Sequence, residues 1–546
     1  MNAQRSLLAL AVVATFAQAQ VAPDAGRTLQ QQQQAPVEAP RATKPLVIPA
    51  GPLQVPAPGG ATVVLKSVAF HGNTRLADAA LQAIVHDAIG RPLDLAGLWG
   101  VAQRVSDAYR AAGYPFARAY LPPQELQDGA LRIEIVEGRY GRVRTTGDAS
   151  LAPSAQRWLQ RLHPGDVIES APLERAAMLL DDLPGVRATP IVKPGEQVGT
   201  GDLDVDIQRG PRLQGSVGLD NQGNKYTGPT RLQMDLRAGS PFMAGDQATL
   251  HTMVTDEKLW FGSLGYSLPI NANGWRAHAE LSRTHYQLGS DFRSLRASGT
   301  AKVAAVGSSY AIERSQRLDV SVDVALQRKI LNDVQGASGT SDGKSSNSLP
   351  MVVNFDVRDG WQGGGLTWGA LTLTPGKLQL GHTLAVVDAS TARTNGHYAR
   401  LDLDVSRTQA AGDDATLFVR VAAQWANKNL DSSEGFGIGG VTGVRAYPGG
   451  EGYGDAGWLA QVEYRRNGTG PQPYLLFDAG RTRTNIHPWT NEDNRRALSG
   501  VGFGVRGAID RFSVDGSVAW RASGGPATSE TKARDPQLWL SASMAF

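Results

Sequence analysis

The chain has no cysteine, which removes disulfides, thiolate metal sites and cysteine nucleophiles together. No stretch after the N-terminus reaches the ~18 uninterrupted apolar residues that a membrane-crossing helix needs. Neither sign of charge is in marked excess. The net value is only +3 over 546 residues, so no nucleic-acid footprint is present, and a pI near 9.0 points only weakly to a polyanion. There is no G-x-S-x-G nucleophile elbow and no H-E-x-x-H zinc motif, and the nine His residues are scattered. No catalytic residue, metal or cofactor is therefore expected. The stretch 339–345 imitates a phosphate-binding loop, but three residues instead of four separate Gly339 from Gly343. It reads as a Ser-rich surface loop.

What is abundant is glycine, at 63 residues, in a chain that is 41% hydrophobic and 19% charged. That mixture suits many strands and loops better than a helical bundle. At the N-terminus Arg5 precedes an apolar run over 7–17, and Ala17-Gln18-Ala19 has the form of a cleavage site. Residues 1–19 read as an export signal; the alternative is an apolar tail with no targeting role. Residues 24–34 suit a short polar helix, or a disordered tail given the glutamine run from Gln30 to Gln34. A Pro- and Ala-rich linker follows over 35–60.

From 61 to 138 the pattern is a compact α+β module. Val63-Val64-Leu65 and Val68 to Phe70 suggest a strand. Leu98, Val101, Ala102, Val105, Ala108, Tyr109 and Ala112 fall at helical spacing, and Leu131, Ile133 and Ile135 alternate as a strand. Residues 139–210 repeat this order more loosely, with a helix around Leu173, Ala176, Ala177 and Leu180 and a strand through Leu203, Val205 and Ile207.

Beyond 210 strict alternation recurs to the end. It runs through Leu318, Val320, Val322, Val324 and Leu326, through Leu401, Leu403 and Val405, and through Val501, Phe503 and Val505. This two-residue repeat is the signature of a transmembrane barrel, where closure pairs every backbone group and one face meets lipid. At about 20 residues per strand and connection, residues 211–546 hold about 16 strands. A soluble β-sandwich or propeller alternates too. The terminal set Leu538, Leu540, Ala542, Met544 and Phe546 shares one parity and ends on an aromatic, as a barrel's closing strand would.

Several motifs resemble those of the two-partner secretion transporters, the TpsB family of the ShlB/FhaC/HecB haemolysin secretion and activation type, within the BamA-like superfamily. Gly113-Tyr114, Tyr120-Leu121-Pro122-Pro123-Gln124 and Glu137-Gly138 resemble the end of that family's first POTRA domain, and Asp182-Leu183-Pro184-Gly185 its second. Gly439-Gly440 leads to Val444-Arg445-Ala446-Tyr447, similar to the VRGY motif of a loop folded into the lumen. Phe477-Asp478-Ala479-Gly480 resembles the F-x-D-x-G motif of a later strand. Ala446 departs from the family's glycine. A tip that needs φ > 0 would disfavour Ala by about 1 kcal/mol or more, so an altered tip is expected.

The resemblance implies a β-barrel membrane protein of about 16 antiparallel strands with two N-terminal α+β POTRA domains. The divisions are a signal peptide at 1–19, a plug helix and linker at 20–60, POTRA 1 at 61–138, POTRA 2 at 139–210, and a barrel at 211–546 with an in-folded loop at 432–457. It implies that Arg445 pairs with Asp478 to pin the loop, with Val444, Ala446 and Tyr447 beside it, Phe477 and Gly480 on the strand, and Phe546 as the barrel-closing signal. An ordinary solvated Arg in a Gly-rich loop is the plainer reading of the residues alone. Tyr447 and Phe436 are candidate loop anchors against the wall. The implied function is translocation of a large secreted TpsA-type adhesin or haemolysin through the bacterial outer membrane, with the POTRA domains in the periplasm. The implied partners are that protein, outer-membrane lipid, periplasmic chaperones and the barrel-assembly machinery. An assembly factor that inserts other barrels, or a passive porin, is the alternative.

Overall fold

The computed structural model describes residues 22–33, 36–40, 56–530 and 532–546. The expected signal lies outside them, as does most of the linker.

The first module packs Leu98, Val101, Val105 and Tyr109 of helix Leu95–Ala111 against Leu131, Ile133 and Ile135 of strand Ala130–Val136. Asp94 starts that helix by accepting from Gly97 N at 2.8 Å, an N-cap that satisfies one orphan donor. The sheet places Ala130–Val136 centrally, with Ser67–His71 parallel on one side and Arg118–Tyr120 antiparallel on the other. Val63–Val64 and Ser67–His71 are not the single strand expected: Val63–Val64 pairs with Pro92–Leu93 instead. The chain breaks between them because Leu65 N bonds Arg91 O and Lys66 N bonds Gly129 O.

The second module has the same layout. Its last strand, Thr200–Arg209, is central, with Arg139–Gly147 parallel and Val186–Pro194 antiparallel. Leu173 and Leu180 of helix Ser170–Asp181 meet Leu203, Val205 and Ile207 in its core.

Sixteen antiparallel strands then close a barrel from Leu213–Asp220 to Gln537–Ala545. One strand is broken into Thr340–Ser348 and Met351–Asp359. Both halves lie between Leu318–Gln335 and Gly365–Leu380. The break falls at Pro350, which has no N–H to give a ladder. The stretch 339–345 is thus largely strand, not the surface loop expected. It has no apolar alternation because its inward residues Lys344, Ser346 and Ser348 are polar and its outward ones are small or polar. Along the outer wall Leu281, Val306, Leu326, Leu475, Phe503 and Val514 are exposed, as a lipid-facing surface requires. Lys329, Arg420, Gln424, Gln461 and Glu463 are buried on the inside. No described helix is long and apolar enough to cross a membrane.

The second module is fastened to one end of the barrel. Arg175 donates to Ala311 O at 2.6 Å and Asn273 O at 3.1 Å, and Asp182 pairs with Arg314 at 2.6 Å.

Candidate functional site

Among the described residues the lumen holds two inserted elements, besides linker residues 36–40, where Val37 O accepts from Trp368 Nε1 at 3.0 Å. The first is the connection between strands Ala415–Ala426 and Ala456–Arg466, which folds inward on a two-residue ladder, Phe436–Gly437 against Tyr453–Gly454. Arg445 sits at its buried tip. Its Nε and Nη2 donate to the two carboxylate oxygens of Asp478 at 2.8 and 2.7 Å, and its backbone N adds a third bond at 3.0 Å. A planar guanidinium on a carboxylate in this fork fixes orientation as well as position. Nη1 reaches Glu463, whose other oxygen accepts from Arg465 at 2.8 Å and Arg506 at 3.1 Å. The Arg445 carbonyl accepts from Trp539 Nε1 at 2.7 Å. One residue thereby ties the loop to three strands.

The neighbouring motif residues are buried with it. Val444, Ala446 and Tyr447 join Ile438, Leu476 and Leu498 in an apolar cluster. The Tyr447 hydroxyl lies 2.8 Å from Ser523 O and 2.9 Å from Gly525 O, so its donation pins the ring to the connection between strands Phe512–Ser523 and Gln537–Ala545. Phe436 packs at the edge of the same cluster. Ala446 does not adopt positive φ, so the strain anticipated for an alanine here does not arise. Its methyl lies over Gly500, where an added Cβ would come within 2.5 Å of it. Gly480 gives similar room to Ile438, whose Cβ would stand 3.3 Å from a Cβ there.

Phe477 does not join the site. It precedes Asp478 by one residue, so strand parity turns it outward, and it is 47% exposed on the lipid side. The apolar residue that shares Asp478's inward face is Leu476. Phe546 closes the wall through its backbone: Phe546 N donates to Gly215 O and Gly215 N to Phe546 O, both at 2.9 Å.

The second inserted element is helix Ala25–Gln33. Ala25 and Leu29 rest on Tyr226, Met253 and Tyr286 of the inner wall. Asp24 accepts from Ser432 Oγ at 2.5 Å and Lys344 Nζ at 3.1 Å, and Lys344 also grips Asp431 of the loop at 2.8 Å. Ala25 N donates to Asp333 at 2.8 Å, and Thr284 Oγ1 to Gln32 Oε1 at 2.9 Å. Gly26 lies so close to Ser432 that a side chain there would collide with it. A wall lysine therefore couples helix and loop directly.

Other buried pairs also escaped the sequence reading. Lys329 meets Glu434 at 2.8 Å, and Arg400 meets it at 3.1 Å. Glu451 accepts from Arg496 Nε at 2.8 Å and from the backbone of Thr528 and Ser529. Beneath the loop tip a cavity of about 750 Å³ opens, lined in part by Arg420, Arg445, Glu463, Arg506 and Asp515. No group of three or more metal-ligating side chains occurs among the described residues.

A sixteen-strand barrel with a filled lumen and two α+β modules at one end defines a class, the outer-membrane β-barrel transporters with periplasmic POTRA domains. Residues 199–507 match the haemolysin secretion/activation protein ShlB/FhaC/HecB, and residues 63–138 match the ShlB-type POTRA domain. The chain belongs to that family. It is 27% identical over 403 residues to the heme/hemopexin transporter protein HuxB of Haemophilus influenzae (strain 86-028NP), covering 72% of this chain and 70% of that one. Its fold is similar to CdiB from Escherichia coli, with a TM-score of 0.71 and 19% identity over 97% of this chain and 100% of that chain. It is also similar to CdiB from Acinetobacter baumannii, with a TM-score of 0.62 and 18% identity over 94% and 95% of the two chains. The protein is an outer-membrane channel, not an enzyme, and it translocates a large partner protein by two-partner secretion.

Proposed function

We propose that this transporter rests closed, with helix Ala25–Gln33 and the Arg445 loop as two linked stoppers, and that it exports an adhesin- or haemolysin-type partner. In this reading residues 1–19 are removed on export and periplasmic chaperones deliver the partner unfolded. The barrel-assembly machinery inserts residues 211–546 into outer-membrane lipid. The modules at 61–138 and 139–210 capture the partner's N-terminal secretion domain. The observation that carries the closed state is Lys344, which holds the helix start and the loop at once. A passive porin has no use for such a linkage.

An extended peptide adds to a sheet edge through unpaired backbone groups. Three of the four outer edges in the two modules already carry side-chain bonds: Gln82 donates to Val68 O, Ala119 N to Ser106 Oγ, and Gln156 bridges Val143 O and Thr145 N. Among the described residues Val186–Pro194 carries no such cap, which favours it as the receiving edge. The sequence carries no nucleotide-binding motif, and in this reading folding of the exported chain outside the cell drives the passage.

Arg445→Ala tests the loop's part. Secretion of the partner into the medium should fall at least tenfold while the barrel still inserts, read as heat-modifiable migration of the detergent-solubilised protein. Normal secretion by an inserted variant would remove the loop from the mechanism.

A further inference from the structure

The outer wall carries a row of cations that the lumen does not explain. Arg283 lies directly across the ladder from Lys302, and Arg328 lies across from Ala304, the next outward position beyond Lys302. Arg328 faces Asn347, Asn347 faces Lys377, and Lys377 faces His397. These residues stand on six adjacent strands, and all are exposed. Among the described residues Arg283, Lys302, Arg328 and Lys377 form no ion pair and no hydrogen bond. Like charges directly opposite on a sheet repel, so the Arg283/Lys302 pair needs an anion that the protein does not supply. Arg283 does rest over the ring of Trp260, 5.5 Å from its centroid, as an interfacial aromatic would hold it.

The height of the row fixes the leaflet. The second POTRA module binds the opposite end of these strands, through Arg175 at Ala311 and Asp182 at Arg314. Trp275 and Tyr310 stack there, 4.8 Å apart, on the periplasmic rim. Arg283 is separated from Trp275 by about 26 Å of strand at ~3.3 Å per residue, or roughly 20 Å of membrane depth at a tilt near 40°. The row therefore crowns the apolar belt at its extracellular side. Directly below it Leu264, Leu281 and Leu326 are 57%, 62% and 64% exposed. A shallow cavity of about 440 Å³ joins the two zones, lined by Leu250, Leu264 and Leu281 on one side and Arg283, Lys302 and Arg328 on the other.

We propose that this face docks the phosphorylated glycolipid of the outer leaflet. Its phosphates meet the cations, and an acyl chain lies in the leucine-lined cavity below. Charge complementarity and depth favour that occupant. An inner-leaflet phospholipid would meet no such row at the Trp275 rim, and a soluble acidic protein would not reach a surface inside the bilayer.

The test uses the full chain in nanodiscs of phosphatidylcholine, titrated with lipid A and read by native mass spectrometry. Bisphosphorylated lipid A should be retained at least tenfold better than its dephosphorylated form and better than phosphatidylglycerol, and inorganic phosphate should not substitute for it. Combined Arg283→Gln, Lys302→Gln, Arg328→Gln and Lys377→Gln should abolish the preference, while the exchanges Arg283→Lys, Lys302→Arg, Arg328→Lys and Lys377→Arg should keep it. Equal retention by the neutralised variant, no discrimination by the natural sequence between the two forms of lipid A, or a preference for phosphatidylglycerol would each overturn the proposal. If the neutralised variant does not insert, the comparison of lipid A forms on the natural sequence decides alone.

Discussion

One guanidinium at the loop tip answers two buried carboxylates, and this sets what a charge exchange can achieve. Arg445 and Glu463 side chains are each 6% exposed and Asp478 is fully buried. Removing one partner of a buried pair leaves an uncompensated charge and costs about 3–5 kcal/mol. Arg445→Asp with Asp478→Arg restores the pair in sequence, but the carboxylate introduced at the loop tip then faces Glu463. The double variant should recover only part of the secretion lost by either single change. Adding Glu463→Gln should recover more, measured as partner in the medium. Recovery by the double variant equal to the triple would show that Glu463 takes no part. Arg445 and Asp478 were legible only through the resemblance of their motifs to the family's. Glu463 was not, because Glu463-Tyr464-Arg465-Arg466 alternates like any barrel strand and nothing local says that the carboxylate looks inward at a loop. Phe477 lies on the strand where its motif placed it, but one step along that strand exchanges lumen for lipid, so only its neighbour Asp478 faces the loop.

Elements were legible where a single periodicity set them. Helix Leu95–Ala111 carries a clear apolar stripe, and its core partners follow from it. The break after Val64 and the strand at Thr340–Ser348 were hidden, since one depends on bonds to Arg91 and Gly129 and the other has polar residues on both faces. Lys344, inside the stretch read as a surface loop, then becomes the clasp on helix Ala25–Gln33. With Lys344→Ala, Asp24 keeps Ser432 but loses its cation, and the helix should leave the lumen more often. Planar-bilayer recordings should show a several-fold higher open probability, with conductance per opening unchanged. A quiet channel would assign closure to the loop alone.

The first module offers a matching test in the periplasm. Burial raises the Glu137 carboxyl, but donation from Thr74, Arg75 and the Tyr109 hydroxyl outweighs it, so the group is held below the ordinary value of 4.5. A depressed native value means that its contribution is fully present above 4.5 and is lost as pH falls through the native value. Glu137→Gln should therefore destabilise the module near neutrality by about 1–3 kcal/mol, the cost of buried donors left poorly paired. It should also flatten the acid dependence. Hydrogen exchange of residues 67–136 in the full chain, followed against pH, measures both.

At the scale of the whole molecule the question is whether the barrel can stand without the modules that feed it. The joint combines polar bonds with a small apolar contact, where Ala272 and Ala244 of the barrel turns meet the module's core. Asp182 leaves Arg314 when 62–210 is removed, but Asp319 remains 2.7 Å from the same guanidinium, so no charge is stranded in the wall. The carbonyls that Arg175 holds lie at a periplasmic turn where water replaces it. The stoppers do not depend on the modules either, since Lys344, Asp431 and Ser432 all belong to the barrel and Asp24 precedes the deletion. The Pro-rich linker spans about 3.1 Å per residue when extended, long enough to leave the helix in place. The truncated chain should therefore insert and stay closed, with the low open probability of the full protein. Capture is lost with the modules, so pull-down of the partner's secretion domain should fall to background. Retained pull-down would move recognition onto the barrel mouth, and a leaky truncated pore would show that the modules hold the stoppers in.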